Sequence, residues 1–305
     1  MMAPKITKAQ IEQYHEEGYV ALEGFVPKAT MDEMRRLVDE VVDNAKNVSK
    51  SDAQYDLDDT HTQDSPKVRR LKRPYDHWPF FNDLVRSDLI LDAVESLMGP
   101  DLRIWNGKIN FKTPGRGYAV EWHQDWAFYP HTNDVGLAMG VYMDDATYDN
   151  GAMIVLPGSH KLDAFDHHSD GYFCGAMDPE KCPELDFNNF KPVGGPAGTL
   201  TLHHVRLVHG SAPNHTDKER RFFITGYFAG DAWPMTDGLR DFDYDQFKAY
   251  MCRGEHKEPR LDGDVPIKMP LPTGSRAGSI YVTQQNVANR YFESHEETRT
   301  QVAGE

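Results

Sequence analysis

The sequence predicts a mainly β protein with flanking helices, its strands forming an antiparallel sandwich or barrel. Two textures carry that expectation. Between residues 101 and about 230, short apolar stretches alternate with Gly, Pro, Asn and Asp. The stretches are Leu102–Phe111, Tyr118–His123, Leu137–Met143, Ala152–Leu156, Gly198–His203 and Arg221–Phe228, a spacing that suits strands joined by turns. Before residue 100, apolar residues recur at the interval of a helix instead. The expected organisation is one domain over 1–305, with helical support in 1–100, a β core in 101–230 and a covering segment in 231–305.

Each element has a local reason. Thr7-x-x-Gln10 is a capping-box pattern that opens a short helix ending near Gly18. A strand is expected over Tyr19–Phe25. Pro27 precedes a second helix, capped by Thr30-x-x-Glu33, in which Met31, Met34, Val38, Val41 and Ala45 form one apolar face. That face is expected to pack on the outside of a sheet. Residues 48–66 are polar and lack periodicity, which predicts a mobile loop. A third helix runs from the N-cap Ser87 to Met98, where Gly99-Pro100 stops it. In the tail, Phe242, Tyr244, Phe247 and Tyr250 suit a helix that packs back on the β core, either as a plain cover or as a lid.

Composition narrows the function classes. Apolar residues make up 39% and charged residues 27%, an ordinary globular balance. No apolar run approaches the ~20 residues of a membrane helix, so no membrane partner is expected. The N-terminal MMAPKITKAQIEQY lacks the pattern of a secretory signal. Cys174, Cys182 and Cys252 form no CxxC pair, which argues against disulfides and thiolate zinc and fits a reducing cytoplasm. A net charge of −15 disfavours nucleic-acid binding. The exception is Lys67-Val-Arg-Arg-Leu-Lys-Arg73, with five basic residues in seven. It is either a solvated strand or loop, or the edge of a site mouth that attracts an acidic substrate.

The segment that carries chemistry is Glu121-Trp-His-Gln-Asp-Trp126. Residues two apart on a strand share a face, so His123 and Asp125 can meet on one metal ion. An isolated HxD is common by chance. The second half of the pattern is His209-Gly-Ser-Ala-Pro-Asn214, 86 residues after His123 and just past the β-like run Gly198–Val208. His209 is placed to supply a third ligand from the opposite sheet. Two histidines and a carboxylate with open positions suit non-haem iron, and also zinc or manganese. In Glu219-Arg-Arg-Phe-Phe-Ile-Thr-Gly-Tyr-Phe228, one of Arg220 and Arg221 can face the metal and grip a carboxylate in two contacts, because adjacent strand residues alternate. His204 and His203 are expected in supporting or surface positions, since two adjacent histidines cannot both face the metal. Arg206 is a candidate for a substrate carboxylate.

As a set, WHQDW (122–126), Asp144-Asp-Ala-Thr-Tyr-Asp-Asn-Gly151, Leu156-Pro-Gly-Ser-His-Lys161, HGSAPN (209–214) and the Arg-Arg strand resemble the phytanoyl-CoA dioxygenase family, which includes phytanoyl-CoA hydroxylase and ectoine hydroxylase. The opening phrase GYVALEGFVP also matches, and the resemblance spans roughly residues 10–230.

The resemblance implies a double-stranded β-helix, the cupin-like jelly roll, with iron(II) and 2-oxoglutarate at one mouth and dioxygen as cosubstrate. It implies that His123, Asp125 and His209 bind iron. The family arginine that holds the distal carboxylate of 2-oxoglutarate lies about eleven residues past the distal histidine, which gives Arg220. Alignment backwards from Tyr227-Phe-Ala229 gives Arg221, the preferred reading, because a one-residue loop insertion costs less than a slipped strand register. Lys108 and Asn106 fall on the family strand that helps bind the cosubstrate. Trp126 is expected to wall the pocket, and His160 to be structural, within a turn. The activity implied is hydroxylation of an unactivated C–H bond of a small molecule, with decarboxylation of 2-oxoglutarate to succinate. Retention of Asp125 favours hydroxylation, desaturation or ring closure over halogenation. The ligand set alone also admits a zinc or manganese hydrolase or isomerase, or a non-catalytic binding module on the same barrel.

Overall fold

The computed structural model describes residues 5–115, 118–236, 242–276 and 278–292. Among these, two antiparallel sheets face each other as a jelly roll. The larger has eight strands, in the order 19–22, 200–204, 136–142, 220–229, 102–112, 68–72 and 55–57, with 251–253 also paired to 102–112. The smaller has four, in the order 191–193, 153–155, 209–211 and 120–123. Every strand predicted between 101 and 230 is present to within two residues at each end.

The N-terminal helices pack on the outer face of the large sheet. Thr7 and Gln10 form the expected capping box on the helix Lys8–Glu17, which Gly18 ends in the left-handed conformation at φ 84°. The helix Lys28–Asn44 starts earlier than expected, directly after Pro27, and has no side-chain cap. Its buried residues are Met31, Met34, Val38 and Val41, with Ala45 buried just beyond. Ser87 stands at the N-cap of Asp88–Met98, but its hydroxyl donates back to Leu84 O at 2.7 Å and caps nothing. The 48–66 segment is not all loop, since Tyr55–Leu57 pairs with Val68–Lys72. Alternate residues of the sheet, including Leu137, Met139, Val141, Leu200, Leu202 and Phe223, meet the helices in the main apolar core.

One bulge decides what reaches the inner face. Strand Leu102–Lys112 buries Leu102 and Ile104 in the helix-side core, then Ile109 and Phe111. That change from even to odd positions requires an extra residue, and Asn106 is that residue, in the left-handed region at φ 59°. Its side chain accepts from Gly107 N–H at 2.8 Å. Past the bulge the even residues Lys108, Asn110 and Lys112 turn inward, between the sheets. Without it, three polar groups would enter the core.

The tail covers the small sheet and one edge of the large one. Tyr244 and Phe247 lie in the helix Tyr244–Ala249, flanked by Phe242 and Tyr250. A second short helix, Ile280–Thr283, lies at the cavity described next. No described helix is long and apolar enough to cross a membrane.

Candidate active site

His123 ends the strand Val120–His123, and Asp125 begins a turn of 3-10 helix rather than continuing the strand. Gln124 between them is still extended, at φ −113° and ψ 130°, so alternation holds for one more residue. His123 Nε2 and Asp125 Oδ1 come within 4.0 Å. His209 is the direct cross-strand partner of His123 in the same small sheet, so it comes from the neighbouring strand and not from the opposite sheet. The two imidazole centroids are 4.1 Å apart. One ligand atom from each of His123, Asp125 and His209 lies within 4.8 Å of the others, and all three residues are buried.

The hydrogen bonds prepare this set for a cation. His123 Nδ1 lies 2.8 Å from Glu121 O and His209 Nδ1 lies 2.9 Å from Leu207 O. A carbonyl oxygen can only accept, so Nδ1 carries the proton and Nε2 keeps its lone pair. Burial pushes the His123 pKa down to about 4, against the pull of Asp125, and lowers that of His209 well below its ordinary value. Burial also opposes the Asp125 carboxylate, yet His203, His209 and Lys108 hold it well below the usual range. Two neutral imidazoles and one carboxylate with an open side fit a divalent metal of the non-haem iron type.

The segment is clamped from behind. Gln124 N–H donates to His167 Nε2 at 2.9 Å, its amide nitrogen donates to Arg206 O at 2.7 Å, and its amide oxygen accepts from Phe165 N–H at 2.9 Å. Gln284, from the tail, accepts from Glu121 N–H at 3.0 Å. Buried Lys112 donates to Ser211 O at 3.2 Å and also to Ala212 O, which pins the strand that carries His209.

His123, Asp125 and His209 open on a cavity between the sheets, also lined by Lys108, Asn110, His203, Arg220, Phe222 and Tyr281. Arg220, not Arg221, faces it. Arg220 shares its side of the strand with Phe222, and one guanidinium nitrogen donates to Gly151 O at 2.7 Å. Arg221 points the other way, toward the helices, and pairs with Asp144 at 2.8 Å and Asp39 at 2.6 Å. The register preference for Arg221 is therefore corrected: with Phe223 in the helix-side core, Arg221 must share that face. Burial lowers the pKa of both Arg220 and Lys108, and neither forms an ion pair among the described residues. Buried Arg220 Nε and Asn110 Oδ1 lack hydrogen-bond partners among the described residues.

Other expected residues lie elsewhere. Asn106 lines a separate groove of about 560 Å³ beside Trp105, Phe128 and Tyr129, not the metal cavity. Trp126 is not a wall of that cavity. Its indole N–H donates to Pro266 O at 2.9 Å within a cluster that includes Val205 and Phe228. Phe128 instead meets the His123 ring edge-on, with centroids 5.9 Å apart. Arg206 does not reach the cavity, because Asp134 at 2.8 Å and Leu162 O hold it. His160 sits in its expected turn, against His15. His204 faces His160 and Tyr14, whereas His203 faces the cavity. In the basic stretch, Arg69 pairs with Asp56 at 2.8 Å, while Arg70 stands across from Asn110. Sequence reasoning missed Asn110 and the tail residue Tyr281.

Comparison with known proteins agrees with this geometry. The phytanoyl-CoA dioxygenase family model matches residues 14–222. A probable alpha-ketoglutarate-dependent hypophosphite dioxygenase from Stutzerimonas stutzeri is 36% identical over 287 residues, spanning 93% of this chain and 99% of the relative. A methylphosphonate hydroxylase from Gimesia maris is 27% identical over 75% of this chain and 83% of its own length. The crystal structure of EctD from S. alaskensis with 2-oxoglutarate and 5-hydroxyectoine superposes with a TM-score of 0.65, at 22% identity, over 84% of this chain and 87% of that one. The family match and the near full-length relative decide between oxygenase and hydrolase: the chain belongs to the phytanoyl-CoA dioxygenase family and is an iron(II)- and 2-oxoglutarate-dependent dioxygenase.

Proposed function

We propose that this dioxygenase hydroxylates a small anion of the phosphorus-oxyanion class, at a P–H bond or at a C–H bond beside phosphorus. The observation that carries the reading is the charge of the cavity. Its wall presents two cations, Lys108 and Arg220, that form no ion pair among the described residues, in a chain that is otherwise strongly acidic. With iron(II) they outweigh Asp125 and the two carboxylates of 2-oxoglutarate by one formal charge. A singly charged anionic substrate balances the site, and an unbalanced charge away from water is costly. The names of the two relatives described above point to the same chemistry.

In this reading His123, Asp125 and His209 hold iron(II) through Nε2, a carboxylate oxygen and Nε2. Arg220, the one arginine of its pair facing inward, grips the distal carboxylate of 2-oxoglutarate, and Asn110 supplies a further polar contact. Lys108 stands at the metal end of the cavity, where the Asp125 charge reaches it, and draws the anionic end of a ligand toward the iron. When bound, iron with 2-oxoglutarate and dioxygen supplies the oxidising power, and 2-oxoglutarate leaves as succinate and carbon dioxide. Phe128 and Phe222 exclude water, and the Gln124 clamp fixes the ligands so that the target bond is held beside the metal.

The test is succinate formation by the iron-loaded protein with hypophosphite, methylphosphonate, 2-aminoethylphosphonate or a free amino acid. Phosphorus NMR follows the products. Stimulation by a phosphorus anion, with a new oxygenated phosphorus product, is expected. Stimulation by the amino acid alone overturns the reading.

A further inference from the structure

His203 stands out among the buried histidines. His123, His131, His167 and His209 each anchor Nδ1 on the carbonyl two residues earlier, at 2.8–2.9 Å. His203 is 2% exposed, yet neither of its ring nitrogens has a hydrogen-bond partner among the described residues. Buried polar atoms are seldom left so, and such an exception points to a partner that completes the site in its working state. The strand Leu200–His204 aims His203 between the sheets, with its ring centroid 4.6 Å from that of His209.

Its near neighbour is the carboxylate of Asp125, and the two carboxylate oxygens have divided surroundings. Oδ1 faces His123 Nε2, at 4.0 Å. Oδ2 faces His203 Nε2 at 3.5 Å, just beyond a good hydrogen bond. A donor on Oδ2 fixes the plane of the carboxylate and so the direction in which Oδ1 points.

We propose that His203 is a positioning residue for the metal ligand Asp125. Its Nε2–H donates to Oδ2 and fixes the carboxylate plane, so that Oδ1 would be presented to a bound iron. The proposal rests on reading His123, Asp125 and His209 as the iron site. It does not depend on the substrate.

Two substitutions separate this role from mere space-filling. The Nε2 of glutamine in His203→Gln can reach where the histidine Nε2 stands. The amide of His203→Asn is shorter and cannot. Iron(II) affinity is measured without oxygen, by competition with a coloured chelator. Melting temperatures of the metal-free proteins control for folding. The expected result is that His203→Asn binds iron about 10- to 100-fold more weakly than the parent protein. His203→Gln should stay within about threefold of it, a span small against that loss. Equal iron binding by the parent protein and His203→Asn overturns the proposal, and so does equal weakening in both variants. Failure of the parent protein itself to bind iron overturns the iron site instead.

Discussion

The strand Arg220–Ala229 runs ten residues and pairs without a break against Gly136–Tyr142, whereas His209–Ser211 is three residues long and shifts register against its neighbour. The first belongs to a sheet whose outer face is apolar core. The second belongs to a sheet that carries His123 and His209, two of the three residues proposed to hold iron. Long regular pairing with buried side chains supplies stability that survives local faults. Short strands cannot do that, and here the positions of the small sheet are set by side chains reaching in from elsewhere, among them Gln124, Lys112 and Gln284. The two sheets should therefore fail differently when altered.

The largest effect expected is at the small sheet. His209→Ala removes a metal ligand and should reduce turnover by at least about a thousandfold, because the metal carries the difficult chemistry. The metal-free variant should melt close to the metal-free parent, since His209 contributes no apolar core. Measuring iron content and melting temperature together checks this. A variant that unfolds outright would erase the distinction between the sheets.

Next in size is the reciprocal change. Phe223→Ala empties a fully buried position in the helix-side core and should cost about 3–5 kcal/mol of stability by urea unfolding. At a temperature where it remains folded, its turnover per folded molecule and its iron affinity should match the parent. A selective loss of iron affinity would show that the large sheet also sets the site.

These contrasts mirror what the sequence revealed. The strands were legible because apolar stretches and turn residues alternate regularly between 101 and 230, and HxD with HGS was legible because ligand chemistry restricts the residue types. Which arginine faces inward was not legible. Arg220 and Arg221 are followed by Phe222 and Phe223, both buried, so the alternation that reports facing is silent there. The bulge at Asn106 was hidden for a related reason. A single left-handed residue inverts the facing of Lys108 and Asn110 and leaves no trace in composition. The sheet that carries His209 is not legible either, because strand pairing is set by topology, to which local sequence gives no access. Residues 48–66 concealed a strand because Tyr55–Leu57 has only three residues in which to show a pattern.

The two arginines sharpen the comparison within one strand. Arg220→Ala should raise the KM for 2-oxoglutarate by roughly 10- to 100-fold, the value of a charge-assisted contact to a carboxylate. Arg221→Ala should leave that KM nearly unchanged and instead cost about 1–3 kcal/mol of stability, mainly by leaving the partly buried Asp144 without its two-contact partner. A raised KM in Arg221→Ala would restore the register that the structure rejects.

A further effect is expected with acid, and it reaches both sheets. His131 lies against Phe228 of the large sheet, with ring centroids 3.6 Å apart. His167 lies behind the small sheet and accepts from Gln124 N–H. Burial lowers both to a pKa of about 3. The unfolded chain takes up these protons near the ordinary value of about 6.5 and the folded chain does not. Their contribution is therefore complete above that pH and shrinks as pH falls toward 3. The loss is about 1.4 kcal/mol per histidine for each pH unit below the ordinary value. Urea midpoints at pH 7.5, 6.5 and 5.5 measure the slope. His131→Phe should flatten it by one histidine and leave iron affinity unchanged. His167→Phe should flatten it equally but also weaken iron binding, because it frees the Gln124 N–H that holds the ligands apart from the core. Equal iron affinity in the two variants would show that the clamp behind the small sheet is dispensable, and that its short strands hold their geometry unaided.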